Sequence, residues 1–259
     1  ALVFYTRAFT DTVPAFFLFQ QIFPYALGWP VFALFLVVFV FLPWKRNFNV
    51  LRIAFFIYFL PTAFLFTKWT RFMAPVLPLM IIIAVAELSK INNQISNKFK
   101  NSNLIIYAII AAAIIPGILF LNVYLTQDTR LQASQWMVDN IPNDSIILQE
   151  TANVVDLPLL PSNFKNISFN FYDLDADKKL QQDLSTHLQK ADYIIIPSRR
   201  IFKNHSKNKY PLLNKYYENL FSGKLGFEQV AEFKVLEDED AEETLTVFDH
   251  PIVRIYKRM

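Results

Sequence analysis

Lys68, Trp69 and Arg71 are the residues whose types and spacing most readily do chemistry. Two cations fall on a short link between apolar stretches, where an anion would offset the cost of holding them beside lipid. Arginine suits bidentate contact with phosphate, and a lipid-carrier phosphate lies at that depth. The same residues also suit headgroup anchoring, with Lys, Arg and Trp settled at the membrane–water boundary. Spacing alone leaves both readings open. Asp11 and Glu87 are the two acidic residues before residue 128. A carboxylate at Asp11 could act as a base or hold a metal, but it is read as a solvated loop residue pairing with Arg7. The run Glu237–Glu243 (EDEDAEE) has six acidic residues in seven. Such a run could hold a divalent cation. It lacks the glycine-containing alternation of a calcium loop and is read as a solvated hairpin loop. His187, His205 and His250 show no HExxH or HxH spacing, and no GxSxG elbow supports a Ser-His-Asp site. All three are taken as surface or packing residues. With four glycines and no cysteine, no GxGxxG or Walker loop can form, nor any disulfide, thiolate metal site or cysteine nucleophile. No metal site or cofactor is assigned, the divalent cation at the acidic run standing as the alternative.

The elements that must hold these residues follow from composition. The chain has 259 residues, 54% hydrophobic and 18% charged, where a soluble domain carries about 25% charged. Residues 1–127 hold nine Lys/Arg and two Asp/Glu, whereas residues 128–259 hold sixteen and twenty. That asymmetry excludes a single soluble globule, a disordered chain and an ordinary nucleic-acid-binding domain. Residues 1–127 are read as a multi-pass α-helical membrane region with about four transmembrane helices, at 23–42, 50–66, 72–86 and 104–125. Val13–Phe23 is read as an interfacial or re-entrant segment. Pro61, Pro75, Pro78 and Pro116 should kink the spans, with neighbouring helices re-satisfying the freed carbonyls. Arg52 lies near a span end and can snorkel. Lys45, Arg46, Lys90, Lys98 and Lys100 assign two loops to the cytoplasmic side. The Lys68–Arg71 link and everything after about residue 126 then lie outside. A transporter subunit would need ionisable groups within the spans, and only Arg52 qualifies.

Residues 128–259 read as a small α/β domain, a Rossmann-like sandwich on the extracytoplasmic side. Ala133, Trp136, Met137 and Ile141 form a helical stripe ended by Pro142. Ser145–Glu150 is a buried strand and Ser168–Tyr172 a weaker one. Leu180, Leu184 and Leu188 mark a polar helix, and Ala191–Pro197 a central parallel strand. Tyr210–Phe221 is a helix stopped at Gly223. Phe227–Val235 and Ile252–Lys257 close the sheet as an antiparallel pair.

Two regions together carry a resemblance. One is PAFFLFQQIFPYALGWPVFALFLVVFVF (Pro14–Phe41) with TKWTRFMAPVLPLM (Thr67–Met80). The other is KYYENLFSGKLGFEQVAEF (Lys215–Phe233) with AEETLTVFDHPIVRIYK (Ala241–Lys257). They resemble the C-terminal half of bacterial GT-C-type membrane glycosyltransferases, the protein mannosyltransferase-like and aminoarabinose transferase-like group. The resemblance implies a polytopic inner-membrane enzyme that passes a sugar from a polyprenyl-phosphate donor to an extracytoplasmic glycan, lipid or protein acceptor. It implies that Lys68 and Arg71 bind the lipid phosphate. The family's catalytic acid lies in the first external loop, which has no match in this chain, so the catalytic residue is unassigned and Asp11 does not supply it. The chain opens on Ala1 without a signal-peptide pattern, so an external start is expected to follow upstream spans of a longer protein. The competing expectation is non-enzymatic: a membrane-anchored extracytoplasmic module that binds a glycan or a protein.

Overall fold

The computed structural model describes residues 3–41, 46–86, 102–151, 157, 164–237 and 240–259. The chain divides into an apolar helical unit, Thr12–Tyr124 with Asp240–Glu242, and an α/β unit, Ala1–Asp11 with Leu125–Glu239 and Glu243–Met259. The N-terminal turn Phe4–Phe9 therefore belongs to the α/β unit although it precedes the apolar stretches. Phe4 packs on the α/β core, and Arg7 donates to the Tyr172 carbonyl.

In the apolar unit a π-helical turn, Leu18–Ile22, runs into α1 (Phe23–Leu27). Gly28 then takes φ 78°, a left-handed conformation that favours glycine. With Pro30 in the first turn of α2 (Trp29–Phe41), the helix restarts in a new direction, and the two halves meet at 116°. The remaining helices are α3 (Arg46–Ala63), α4 (Thr70–Met73), α5 (Val76–Ala86) and α6 (Ser102–Leu125). Phe23, Phe32, Phe35, Phe55, Met73, Met80 and Ile83 form the core, with Phe55 and Phe59 stacked at 4.9 Å. Arg52 does not reach outward as expected. It is buried and donates to the Asn49 side chain and, at 3.4 Å, to the Phe39 carbonyl.

The expectation of about four spans is corrected. One helix among the described residues is long and apolar enough to cross a membrane, its apolar part lying in α6, and the bent pair adds a second if counted as one span. Glycine and proline explain the shortfall. Gly28 breaks the expected span 23–42. Pro61 lies in the last turn of α3, which stops at Ala63. Pro75, which has no N–H to donate, parts α4 from α5 where a continuous 72–86 was expected. Lys45, Glu87, Lys90, Lys98 and Lys100 lie outside the described residues. The apolar window of that candidate helix buries nothing: Tyr107, Ile114, Ile118, Leu121 and Tyr124 are all exposed. The core helix of a soluble protein would hide such residues.

The α/β unit is built on a five-stranded mixed sheet of order β2-β1-β3-β5-β4. Its strands are β1 (Ile146–Glu150), β2 (Lys165–Phe169), β3 (Tyr193–Ile196), β4 (Phe227–Phe233) and β5 (Val253–Arg258). β1 pairs parallel with β2 and β3, and β5 runs antiparallel between β3 and β4. The weaker strand begins earlier than expected. The Asn170 side chain accepts from Tyr172 N–H and folds Phe171–Asp173 into a 3-10 turn. The helices are α7 (Thr129–Asn140), α8 (Lys178–Lys190), α9 (Arg200–Asn204) and α10 (Pro211–Phe221). Asp128 and Asp177 cap α7 and α8, satisfying N–H groups that have no partner within the helix. Asp175 does the same for Leu212 and Leu213 at the start of α10. Strand alternation divides the core. Leu148, Ile194 and Ile196 face Leu184, Leu213 and Leu220, whereas Ile147, Tyr193 and Ile195 face Ala133 and Met137. Helices therefore cover both faces of the sheet.

Candidate functional site

The link predicted to carry the phosphate-binding pair places its two cations in different settings. Lys68 is buried. Its Nζ donates to Thr12 Oγ1 at 3.0 Å and to the Phe66 carbonyl at 2.9 Å. Burial pushes its ammonium below the ordinary lysine range. Arg71 is exposed, with its guanidinium carbon 4.2 Å from the Trp69 ring centroid and 5.5 Å from that of Phe72. Stacking of this kind holds a guanidinium in place while its N–H edges stay available.

A carboxylate that the sequence reading placed in solvent helps fix this link. Glu242 is 4% exposed. Its Oε2 accepts from Thr70 N–H at 3.2 Å and from Thr70 Oγ1 at 2.7 Å. Its own N–H donates to the Gln21 carbonyl at 3.1 Å. The acidic run is thus no solvated hairpin at its end, because Ala241, Glu242 and Glu243 are all buried. Asp238 and Glu239 lie outside the described residues. Among the described residues no three His, Asp or Glu are grouped as a metal would need. Asp11 does not pair with Arg7. It takes φ 62° and pairs with Lys209 at 3.0 Å, while Arg7 pairs with Asp173 at 3.2 Å.

The α/β unit holds a polar centre that the sequence reading missed. β1, β2 and β3 are parallel, so their carboxyl ends lie at one edge of the sheet. From those ends come Glu150, then Tyr172 in the turn after β2, then Ser198, Arg199 and Arg200 after β3. All five are buried. Tyr217 on α10 donates to Glu150. Arg199 Nε donates to Thr246 Oγ1 at 2.7 Å. Glu243 accepts from the Asn204 amide, and its Oε1 lies 3.5 Å from Arg200 Nε. His205 donates through Nδ1–H to the Ile201 carbonyl at 2.7 Å, which leaves Nε2 to accept from Arg7 at 3.3 Å. Burial pushes the His205 pKa down to about 4, so the ring is neutral at pH 7. Burial, reinforced by the charges of Glu150 and Glu243, raises the Tyr172 phenol. The one local signal was the pair Arg199-Arg200, two adjacent cations that begin three residues beyond an apolar strand. His205 and His250 are buried rather than superficial, and His187 packs edge-on against Phe169 at 5.8 Å. Comparison with protein-family models and with curated proteins finds no match.

Proposed function

We propose that this chain is the C-terminal part of a GT-C-type membrane glycosyltransferase, which passes a sugar from a polyprenyl-phosphate donor to an extracytoplasmic glycan, lipid or protein acceptor. The observation that carries the reading is Arg71, an exposed guanidinium stacked 4.2 Å from the Trp69 centroid on a link between apolar helices. A cation fixed before its ligand arrives loses little freedom on binding, and its N–H edges match phosphate oxygens. Lys68 adds a desolvated positive charge on the same link. The exposed apolar surface of α6 supports an inner-membrane setting. In this reading α6 crosses the bilayer, and the bent pair adds a second crossing if it acts as one span. The basic residues of the loops after α2 and α5 support an extracytoplasmic α/β unit.

In the transfer step an acceptor oxygen attacks the anomeric carbon, and the bond from that carbon to the lipid-phosphate oxygen breaks. Arg71 and Lys68 stabilise the charge that grows on the departing phosphate. The base that takes the acceptor proton is not assigned to a residue of this chain. Arg71→Ala in the full-length enzyme should lower sugar transfer from the polyprenyl-phosphate donor about 10²–10³-fold at unchanged expression, with Arg71→Lys in between. Transfer at the wild-type rate in Arg71→Ala would overturn the reading.

A further inference from the structure

We infer that the carboxyl edge of the parallel strands is a second binding site, one that takes a ligand carboxylate on Arg200 and Tyr172. Two independent observations carry this. The first is position. β1 is flanked by β2 on one side and β3 on the other, so the chain leaves β1 in one direction and returns past it in the other. In open α/β sheets ligands bind outside the carboxyl ends of the strands at such a reversal. Glu150, Tyr172 and Arg200 all follow from those ends.

The second observation is the balance of donors and acceptors. Arg200 is 3% exposed and Tyr172 5%. Nε and Nη1 of Arg200 and the Tyr172 hydroxyl are buried with no hydrogen-bond partner. The Glu243 carboxylate stands at ion-pair distance from Nε, 3.5 Å, without hydrogen-bond geometry. Buried donors are nearly always satisfied, and the Arg200 charge acts on the Tyr172 hydroxyl, so the shortage on these two neighbours points to a group the site is built to receive. The two guanidinium nitrogens can only donate and the hydroxyl can donate as well, so the partner must bring acceptor oxygens. One water accepts about two hydrogen bonds, whereas a carboxylate offers about four lone-pair positions. Glu150 and Glu243 flank the site, and their charges act on the Tyr172 hydroxyl together with those of Arg7 and Arg200. Two fixed negative charges penalise a phosphate dianion more than a single carboxylate, since like charges repel strongly where water is scarce. The site therefore suits a monocarboxylate end group.

The test uses the full chain in detergent with sodium acetate as the probe, at constant ionic strength set by chloride. Saturation transfer from protein to the acetate methyl protons should give a saturable signal. Tyr172→Phe keeps the ring and removes a hydroxyl that bonds nothing, so the fold should hold while acetate affinity drops about tenfold. Arg200→Lys keeps the charge for Glu243 and should weaken acetate at least as much. Formate should displace acetate, and inorganic phosphate should do so less well. The inference is overturned by the absence of a saturable signal, by wild-type affinity in both variants, or by phosphate displacing acetate better than formate does.

Discussion

The two units use the same apolar residue types in opposite ways. In the α/β unit Phe171, Ile194, Ile195 and Leu220 are sealed inside and charged groups hold the outer surface of α8. In the apolar unit α6 turns Ile114, Ile118, Leu119 and Leu121 outward. A protein folding in water seldom exposes a continuous apolar surface of that kind. The difference teaches that burial alone does not order this molecule. The α/β unit is held by removing apolar area from water, whereas α6 gains nothing by turning inward, as fits the lipid setting proposed for it. Paired substitutions break or sharpen that contrast. Phe171→Ala opens a void beside Phe169 and Tyr216, whose ring centroids lie 4.7 and 4.8 Å away. It should cost about 3–5 kcal/mol, read as lost amide-exchange protection along β3 in the detergent-solubilised chain. Ile118→Ala on α6 should stay within about 0.5 kcal/mol. Equal costs would erase the distinction.

How far the sequence was legible follows the same division. In the α/β unit side-chain periodicity reports the sheet and helix faces directly. The stripe of Leu180, Leu184 and Leu188 falls on α8, and the run through Tyr193–Ile196 is a strand with both faces covered. β2 was misplaced because its aromatic end resembles a strand, while the Asn170 cap turns the chain. In the apolar unit there is no periodicity to read, since every face is apolar. Only glycine and proline mark the breaks, and Gly28 was overlooked inside an unbroken apolar run. The polar centre escaped for another reason. Arg7 meets His205 across 198 residues of chain, and Tyr217 meets Glu150 across 67. Charge type suggested solvent, and only tertiary structure supplies partners that let such groups be buried.

A second difference is that the α/β unit buries an ionisable ring as part of its polar centre, so its stability should depend on pH. His205 has a folded pKa of about 4 against 6.5 for a free side chain. The unfolded chain takes up the proton first as pH falls. The contribution of the neutral ring is therefore complete above about pH 6.5 and declines towards pH 4, by about 3 kcal/mol in all. Unfolding curves of wild type and His205→Gln across this window isolate the effect, because carboxylate titrations are common to both. Parallel curves would mean that the ring takes up its proton alike in the folded and unfolded chains, as an exposed ring does.

The smallest effect belongs to Glu242, and it asks whether two neighbours in sequence serve different units. The Glu242 carboxylate holds Thr70 through both its N–H and its hydroxyl, at the first turn of α4, where a backbone N–H lacks a helical partner. Removing a capping acceptor costs about 1–2 kcal/mol. The next residue, Glu243, instead bonds Asn204 and faces Arg200. Glu242→Ala should therefore speed amide exchange at Thr70 about tenfold and leave β3 as protected as in wild type. A carboxylate that merely sat in the acidic run, without fixing the link, would leave Thr70 exchange unchanged. A loss at β3 as large as at Thr70 would show instead that Glu242 supports the α/β unit, and Lys68, through Thr12 and the Phe66 carbonyl, would then be the buried anchor of the link that carries Arg71.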